Sequence, residues 1–562
     1  QLRKRVSTIV EADADPLNPD YSGSDLDSLL DLEFDLEADS DTSEDDEDED
    51  DEVHAHAIKV RGQVSKHHLA AQLSTIMGYC GISLSSSKDL TEQANEELKR
   101  TYSLLDDELK IHHLSSSSGN TQSVIDDKQI RLIETLTTKS NRFLQSCQEA
   151  GGCPVLPGKT LFQRYGVVKD MIGRGAYGVI KLIERNPGGN NGNNGNNGNT
   201  GTTGDLTSNP NLTSAMYAVK EIKRKSAKEP NNKFIERVLS EFIISSTLNS
   251  KYIVKTVDLM VTLPSSSDTS AVQFSQVMEC TPGGDLFTYL TTASDKANNP
   301  VEDMSLDEVD CFIKQIAKGL RYMHQHGVAH CDLKLENILL AYSEPRLNHH
   351  GLPCANITLK LLDFGKSNVF RTKFDSSEQY LPRASGPLGL EPYMAPEEFS
   401  CTKSYSLAKK DCWALGIIIL VLFNIRKHYY TGHSHSGSDQ DSGDSQFSSD
   451  DYGSGYLWQT TDTKNHFSKK YRDKHFEEYV RSRMVADYDA KSKEWLVKAG
   501  GAFRPIEDLF TISGKSGPQD EDELCELRRM MIYKMLDIDP GTRLSADTFL
   551  KGDWMGSVDS CI

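Results

Sequence analysis

The spacing of apolar positions divides the chain into two textures. From Leu161 onward, short β-branched runs such as Val179-Ile180-Lys181-Leu182-Ile183 alternate with turns, and long amphipathic segments follow. That order predicts a small strand-rich part followed by a larger helical part. Ahead of Leu161 the period is weaker. Helices are expected near 89–112 and 125–148, after which Gly151-Gly152, Pro154 and Pro157 break the chain. Residues 11–52 show neither period. The longest apolar stretch, Trp413 to Phe423, is far short of the roughly 20 residues a bilayer requires, so no membrane span is expected. Gln1 opens a polar segment without the apolar stretch of a signal peptide.

Charge sharpens this division. The chain has 562 residues, only 37% hydrophobic, and a formal net charge of −21. Residues 1–160 hold 32 acidic and 15 basic side chains, a net −17, which leaves −4 for the remainder. Positions 11–52 contain 21 Asp and Glu and no Lys, Arg or His. Such a run repels itself and does not fold alone. The expectation is an acidic, mostly disordered N-terminal region over 1–160 and one globular unit over 162–555. An acidic arm excludes nucleic-acid binding, which needs the opposite sign.

Within the arm, Ser24 to Phe34 alternates acidic and apolar residues, the pattern of a motif that folds on a docking partner or regulator. A solvated tail accounts for it more simply. Ser40, Thr42 and Ser43 adjoin the acidic run as candidate sites for an acid-directed kinase. The 11 cysteines form no C-x-x-C pair, which fits free thiols in a reducing, cytoplasmic setting. Two Asn/Gly-rich or Ser/Gly/Asp-rich inserts, about 187–213 and 431–454, are expected to be disordered surface loops, which add little closure entropy. His433 and His435 lie in the second and lack the further ligands that a metal site needs.

Five motifs carry chemistry. The first is Ile172-Gly173-Arg174-Gly175-Ala176-Tyr177-Gly178-Val179-Ile180. Its glycines let a hairpin bring backbone N–H groups up to phosphates. A dinucleotide fingerprint has the same spacing but continues as a helix, whereas here a strand follows. The second is Tyr217-Ala218-Val219-Lys220. A lysine in an apolar strand needs a partner, and Glu241 is the candidate, in a segment expected to turn helical at Ser240; Glu236 is the runner-up. The third is His330-Cys331-Asp332-Leu333-Lys334-Leu335-Glu336-Asn337. Its spacing suits an Asp that orients a hydroxyl, a Lys that steadies a phosphoryl group and an Asn that holds Mg²⁺. Leu362-Asp363-Phe364-Gly365 and Ala395-Pro396-Glu397 complete the series. Five motifs in this order do not arise by chance.

Residues 162–555 therefore resemble a eukaryotic serine/threonine protein kinase. The resemblance implies an α+β, bilobal fold with a small β-rich lobe and a large helical lobe. It implies ATP and Mg²⁺ as cofactors and protein substrates as partners. Asp332, Lys334, Lys220 and Glu241 take the catalytic positions, and Asn337 and Asp363 the metal positions. Residues 172–180 and Lys220 take the nucleotide positions, with Met278 as gatekeeper, Glu279 and Cys280 in the hinge and Asp285 at the ribose. Asp411 to Gly416 resembles the buried helix that anchors the catalytic loop, and Arg543 is expected to pair with Glu397.

A narrower resemblance is to the fungal halotolerance and nitrogen-permease-reactivator kinases. It rests on Tyr217–Glu221, Ser240–Leu248, Asp363–Phe370, Glu391–Glu398, Arg528–Leu536 and Trp554 through Cys561. It implies control of nutrient and ion transporters of the plasma membrane. Two positions depart from the kinase pattern. Cys331 stands where an Arg normally clamps a phosphorylated activation loop, and Leu390 stands where a Ser or Thr normally bonds the catalytic Asp. Both lean toward the alternative, a pseudokinase scaffold or binding module. The intact Lys220, Asp332 and Asp363 lean against it.

Overall fold

The computed structural model describes residues 56–57, 88–106, 124–149, 158–175, 178–185, 216–226, 228–263, 272–281, 283–291, 305–343, 346–347, 353–382, 393–400, 404–432, 488–489, 494–495, 506, 509–510 and 524–561. The acidic run 11–52, Ser40, Thr42, Ser43, the cores of both inserts, His433, His435, Ala176, Tyr177 and Leu390 lie outside the described residues. By contacts the chain divides between His54 and Ala55, and everything below concerns residues 55–562.

Six antiparallel strands form the main sheet: β1 (Thr101–Ser103), β2 (Val167–Gly175), β3 (Gly178–Glu184), β4 (Met216–Ile222), β5 (Thr256–Thr262) and β6 (Gln273–Glu279). Their order is β1-β5-β6-β4-β3-β2. β2 and β3 make the glycine hairpin, closing at the Gly175–Gly178 pair, with register shifts at Val168/Asp170 and Met171/Gly173. One helix, Asn231–Thr247, crosses between β4 and β5. Its buried residues Phe234, Ile235, Val238, Leu239, Phe242, Ile243 and Ile244 cover more than half of its circumference, and Lys233, Arg237 and Ser240 mark the polar remainder. A helix of that kind needs cover on more than one side. Ser240, expected to open the helix, sits in its middle.

Helices dominate the rest. Leu306–Gln325 is capped by Ser305, whose hydroxyl accepts from Glu308 N–H at 3.1 Å. It buries Val309, Phe312, Ile313, Ile316, Leu320 and Met323 at helical spacing. Arg528 reaches it through three hydrogen bonds to the buried Asp310 carboxylate, at 2.5–3.2 Å. Leu407–Gly432 holds Trp413 to Phe423 fully buried. No helix among the described residues is long and apolar enough to cross a membrane.

Residues 88–106 and 124–149, expected in the acidic N-terminal region, contribute to the packed interior. The helix expected over 89–112 ends at Leu98. Thr101-Tyr102-Ser103, β-branched and aromatic at the first two positions, instead extend along Met260–Thr262 as β1. Helix Asp127–Glu149 matches the second expected helix and packs on Asn231–Thr247. Asp258, fully buried on β5, anchors the arrangement. It accepts from Ser103 Oγ at 2.6 Å, Tyr165 Oη at 2.8 Å and Arg164 Nη1 at 3.2 Å. Those donors offset the cost of burying its charge. Next to it, Thr160 and Gln163 form a capping box on the short helix Leu161–Tyr165.

Candidate active site

Strand register aims Lys220 into the space under the glycine hairpin. On β4 it lies between Ile180 of β3 and Gln276 of β6. Its Nζ stands 2.8 Å from Glu241 Oε1 and 2.8 Å from Asp363 Oδ1. Glu236, the runner-up, does not make that bond. Burial alone would lower the lysine pKa, but the Glu241 and Asp363 carboxylates outweigh it and hold the pKa raised. Burial likewise opposes ionisation of Asp363, and Lys220 overrides it, so the Asp363 pKa is lowered. Lys220 is therefore a fixed cation tying the helix to the strand and to the loop after Leu362.

That loop needs an unusual backbone. Asp363 has φ 69°, a left-handed conformation rare outside glycine. A Cβ at Gly365 would lie 3.3 Å from both Asp363 Oδ1 and Glu241 Oε2, so glycine lets the three charges converge. Phe364 is buried, 5.6 Å from the His330 ring.

The loop at 330–337 hangs from Asp411, as its anchoring resemblance implies. Asp411 Oδ2 accepts from His330 N–H at 2.7 Å, and Oδ1 from Cys331 N–H at 2.8 Å. Its third partner is His324 Nε2 at 3.1 Å. Burial works against the charge on His324, yet the Asp411 bond lifts its pKa to about 9. Burial lowers the His330 pKa, so that ring is neutral. Its Nδ1 accepts from Asp332 N–H at 3.3 Å, which leaves Nε2–H to donate to Leu362 O at 3.1 Å. Neutral His330 thus links the Asp332 loop to the residue preceding Asp363.

Asp332 is buried, and Asn337 Nδ2 donates to its carbonyl at 2.9 Å. Lys334 Nζ is 3.8 Å from Asp332 Oδ2. Sequence reasoning missed Lys366, whose Nζ is 3.2 Å from Asp332 Oδ1. The contact is an ion pair without hydrogen-bond geometry, since Oδ1 accepts no hydrogen bond. The available signal was a basic residue directly after Gly365.

The remaining sequence candidates are placed with mixed results. Met278 is buried on β6 opposite Ala218. The Glu279 side chain is engaged with structure, accepting from Lys255 N–H at 2.7 Å and Lys360 Nζ at 2.8 Å. Cys280 is half-buried, and burial pushes its thiol up to about 11. Asp285 spends both oxygens on Thr288, at 2.9 and 2.8 Å, capping the helix Leu286–Thr291. The backbone of Ile172, Gly173, Arg174, Gly175, Gly178, Val179 and Ile180 forms the hairpin.

A divalent ion suits the donors present. Asp363 offers a carboxylate. The Asn337 amide nitrogen is held by Asp332 O, which turns its oxygen the other way. Two hard oxygen donors leave the rest of a coordination shell to phosphate and water, as a nucleotide-bound Mg²⁺ prefers.

Cys331 has φ 62° and lies in an apolar cluster with Ala329, Phe370, Tyr405 and Leu407. The stretch that the resemblance makes the activation segment, 363–397, is held beside it without a cationic clamp at 331. Asn368–Val369 pairs with Val328–Ala329, and Leu381–Pro382 pairs with Ser404–Tyr405. The Ser406 hydroxyl donates to Glu378 and accepts from Lys409 N–H at 3.1 Å. Arg543 pairs with Glu397 as expected, through bonds of 2.6 and 2.9 Å, fully buried at the arginine.

A family model described as protein kinase domain matches residues 197–555, and the glycine hairpin lies ahead of the matched span. A probable serine/threonine-protein kinase HAL5-like of Eremothecium gossypii is 34% identical over 466 residues, 79% of this chain and 54% of that protein. A probable serine/threonine-protein kinase KKQ8 of Candida glabrata is 30% identical over 411 residues, 71% and 41% of the two chains. The serine/threonine-protein kinase HAL5 of Saccharomyces cerevisiae is 28% identical over 448 residues, 72% and 41%. The chain spans about half the length of the curated relatives it matches. The matched kinase domain covers well over half of this chain, and the chain belongs to the protein kinase family.

Proposed function

We propose that this chain is an ATP-dependent serine/threonine protein kinase. The observation that carries the reading is Lys220, bonded at once to Glu241 and Asp363 at 2.8 Å. That pair joins the helix, the strand and the loop after Leu362 at one point, and Asp332 is buried in the loop hung from Asp411. Lys220 grips the nucleotide phosphates while Glu241 keeps it in place. Asn337 and Asp363 hold the metal, taken to be Mg²⁺, which when bound neutralises charge on the phosphates. Asp332 orients the hydroxyl of a protein Ser or Thr and accepts its proton. Lys334 steadies the transferring phosphoryl group. Positioning and fixed charge then supply most of the rate.

The sheet forms the small lobe and the helices the large one, with ATP between them. The adenine edge meets the backbone at 279–281, since the Glu279 side chain is occupied. Asp285 contacts the ribose by giving up part of its helix cap. The sequence resemblance to the fungal halotolerance and nitrogen-permease-reactivator kinases extends the reading to cytoplasmic signalling toward nutrient and ion transporters, with the acidic region 1–60 as a docking site for a regulator. Incubating the chain with ATP, Mg²⁺ and a generic protein acceptor, followed by phosphoamino-acid analysis, tests the activity. Phosphoserine and phosphothreonine are expected. Absence of transfer, with nucleotide still bound, favours the scaffold alternative.

A further inference from the structure

The helix carrying Glu241 has residues to cover on a side the sheet does not reach. Its buried apolar residues cover more than half of its circumference. Its N-terminus begins at Pro230 and has no side-chain cap. Something besides the sheet must hold it, or Glu241 drifts from Lys220. Helix Asp127–Glu149 packs against it. The buried positions there are Gln129, Leu132, Leu136, Ser140, Phe143 and Leu144, one stripe at helical spacing. Leu132, Leu136 and Phe143 share one core cluster with Phe234, Val238 and Phe242.

The same helix is tied at its start to the other side of the site. Asp126 and Gln129 cap each other reciprocally, with Gln129 N–H to Asp126 Oδ1 and Asp126 N–H to Gln129 Oε1 both at 3.3 Å. Just before that cap, Val124 N–H donates to His326 O at 2.9 Å, and Ile125 O accepts from Lys373 N–H at 3.2 Å. His326 ends the helix whose residue His324 bonds Asp411, and Lys373 belongs to the activation segment. Lys139 Nζ ties the middle of the helix to Asp106 Oδ2 at 2.9 Å, just beyond β1. One helix therefore touches the Glu241 helix, the turn behind the catalytic loop and the activation segment.

We infer that residues 124–149 are a built-in brace that positions Glu241 on Lys220 and couples that ion pair to the activation segment, so that the kinase is assembled by its own N-terminal extension. The inference rests on the kinase reading for its consequence and on packing alone for its geometry. The exposed Lys373–Asp127 pair, 3.3 Å apart, adds little, because surface ion pairs are weak. The apolar stripe carries the coupling. Leu136, fully buried at its centre, is a positioning residue.

The test uses the full chain as wild type, Leu136→Asp and the conservative Leu136→Met. Two quantities are measured: kcat and KM for ATP with a generic protein acceptor, and amide hydrogen exchange over 231–247 against 411–423. Leu136→Asp is expected to lose about tenfold or more in kcat as the competent arrangement is depopulated. Its exchange over 231–247 is expected to quicken while 411–423 stays protected, and Leu136→Met is expected to stay within about twofold of wild type. Wild-type exchange and kcat in Leu136→Asp overturn the inference. If Leu136→Asp loses protection at 411–423 as well, it has unfolded, and Leu136→Ala replaces it with the same expected direction. The exchange arm needs no catalysis. A wild type that transfers no phosphate therefore sinks the kinase reading, while the brace still stands or falls on the exchange at 231–247.

Discussion

Lys366 Nζ stands 3.2 Å from Asp332 Oδ1, an oxygen that is buried and accepts no hydrogen bond. The pairing sets a cation against the group proposed to receive the substrate hydroxyl. Lys366 faces the carboxylate, whereas Asn337 holds the backbone carbonyl of the same residue. It makes no ion pair with Glu241 among the described residues, so it should matter for turnover and little for nucleotide binding. Lys366→Met is expected to lower kcat about three- to tenfold, the scale of one lost charge contact. The KM for ATP should stay within about twofold, and steady-state kinetics checks both values.

Glu241 is tested by removing its charge and keeping its shape. Glu241→Gln leaves Lys220 with Asp363 alone. Losing one partner of a buried pair costs about 3–5 kcal/mol where the remaining charge is uncompensated, and less here because Asp363 remains. The clamp on the phosphates loosens, and kcat/KM for ATP is expected to fall about 10²-fold. Circular dichroism and a thermal melt should show the fold retained. Wild-type kcat/KM would remove Glu241 from the site.

The His324–Asp411 bond predicts a direction in pH. The folded pKa of His324, about 9, lies above its ordinary 6.5. The folded state therefore holds a proton that the unfolded state gives up. Its stabilisation is complete below pH 6.5 and fades as pH rises toward about 9. Asp411, lowered by His324 against the opposing effect of burial, works on the acid side, where stability is lost as pH falls through its folded pKa. Wild type should lose melting temperature between pH 6.5 and 9, and His324→Gln should flatten that decline. An unchanged slope in the variant would contradict the assignment.

Cys331 predicts independence from activation-loop phosphate. Its side chain is buried among Ala329, Phe370, Tyr405 and Leu407, with Asn368 Nδ2 4.0 Å from its sulfur, and leaves no room for a longer side chain without repacking. Phosphatase treatment is expected to leave activity within about twofold, because no residue at 331 awaits a phosphate. Cys331→Arg should lower stability by roughly 1–3 kcal/mol through overpacking, read as a fall in melting temperature without gain in kcat.

Much of the site was legible because its chemistry is local in sequence. A glycine hairpin, a lysine in an apolar strand, and Asp332 with Asn337 five residues on are patterns that short spacing fixes. Glu241 was legible only as the nearest carboxylate on a helical stretch, and the structure supports it over Glu236. The role of 124–149 was not legible. Its stripe of Leu132, Leu136 and Phe143 announces a helix, but nothing nearby says that the other face belongs to Phe234 and Phe242, about 100 residues on. The acidic composition of 11–52 does not extend to the rest of 1–160, where Ser103 donates to the buried Asp258 and Leu104, Leu132 and Leu136 join the main core. Lys366 escaped notice because its partner is distant in sequence and a lone lysine after glycine has no pattern.

The central claim is that Asp332 serves phosphotransfer on a site whose nucleotide grip lies elsewhere, at Lys220. The most direct measurement is phosphotransfer from ATP/Mg²⁺ by wild type and Asp332→Asn, with nucleotide affinity measured on both. Transfer by wild type, loss of about 10³-fold or more in Asp332→Asn and nearly equal nucleotide affinity are the predicted result. Full activity in Asp332→Asn, or none in a wild type that binds ATP, would contradict it.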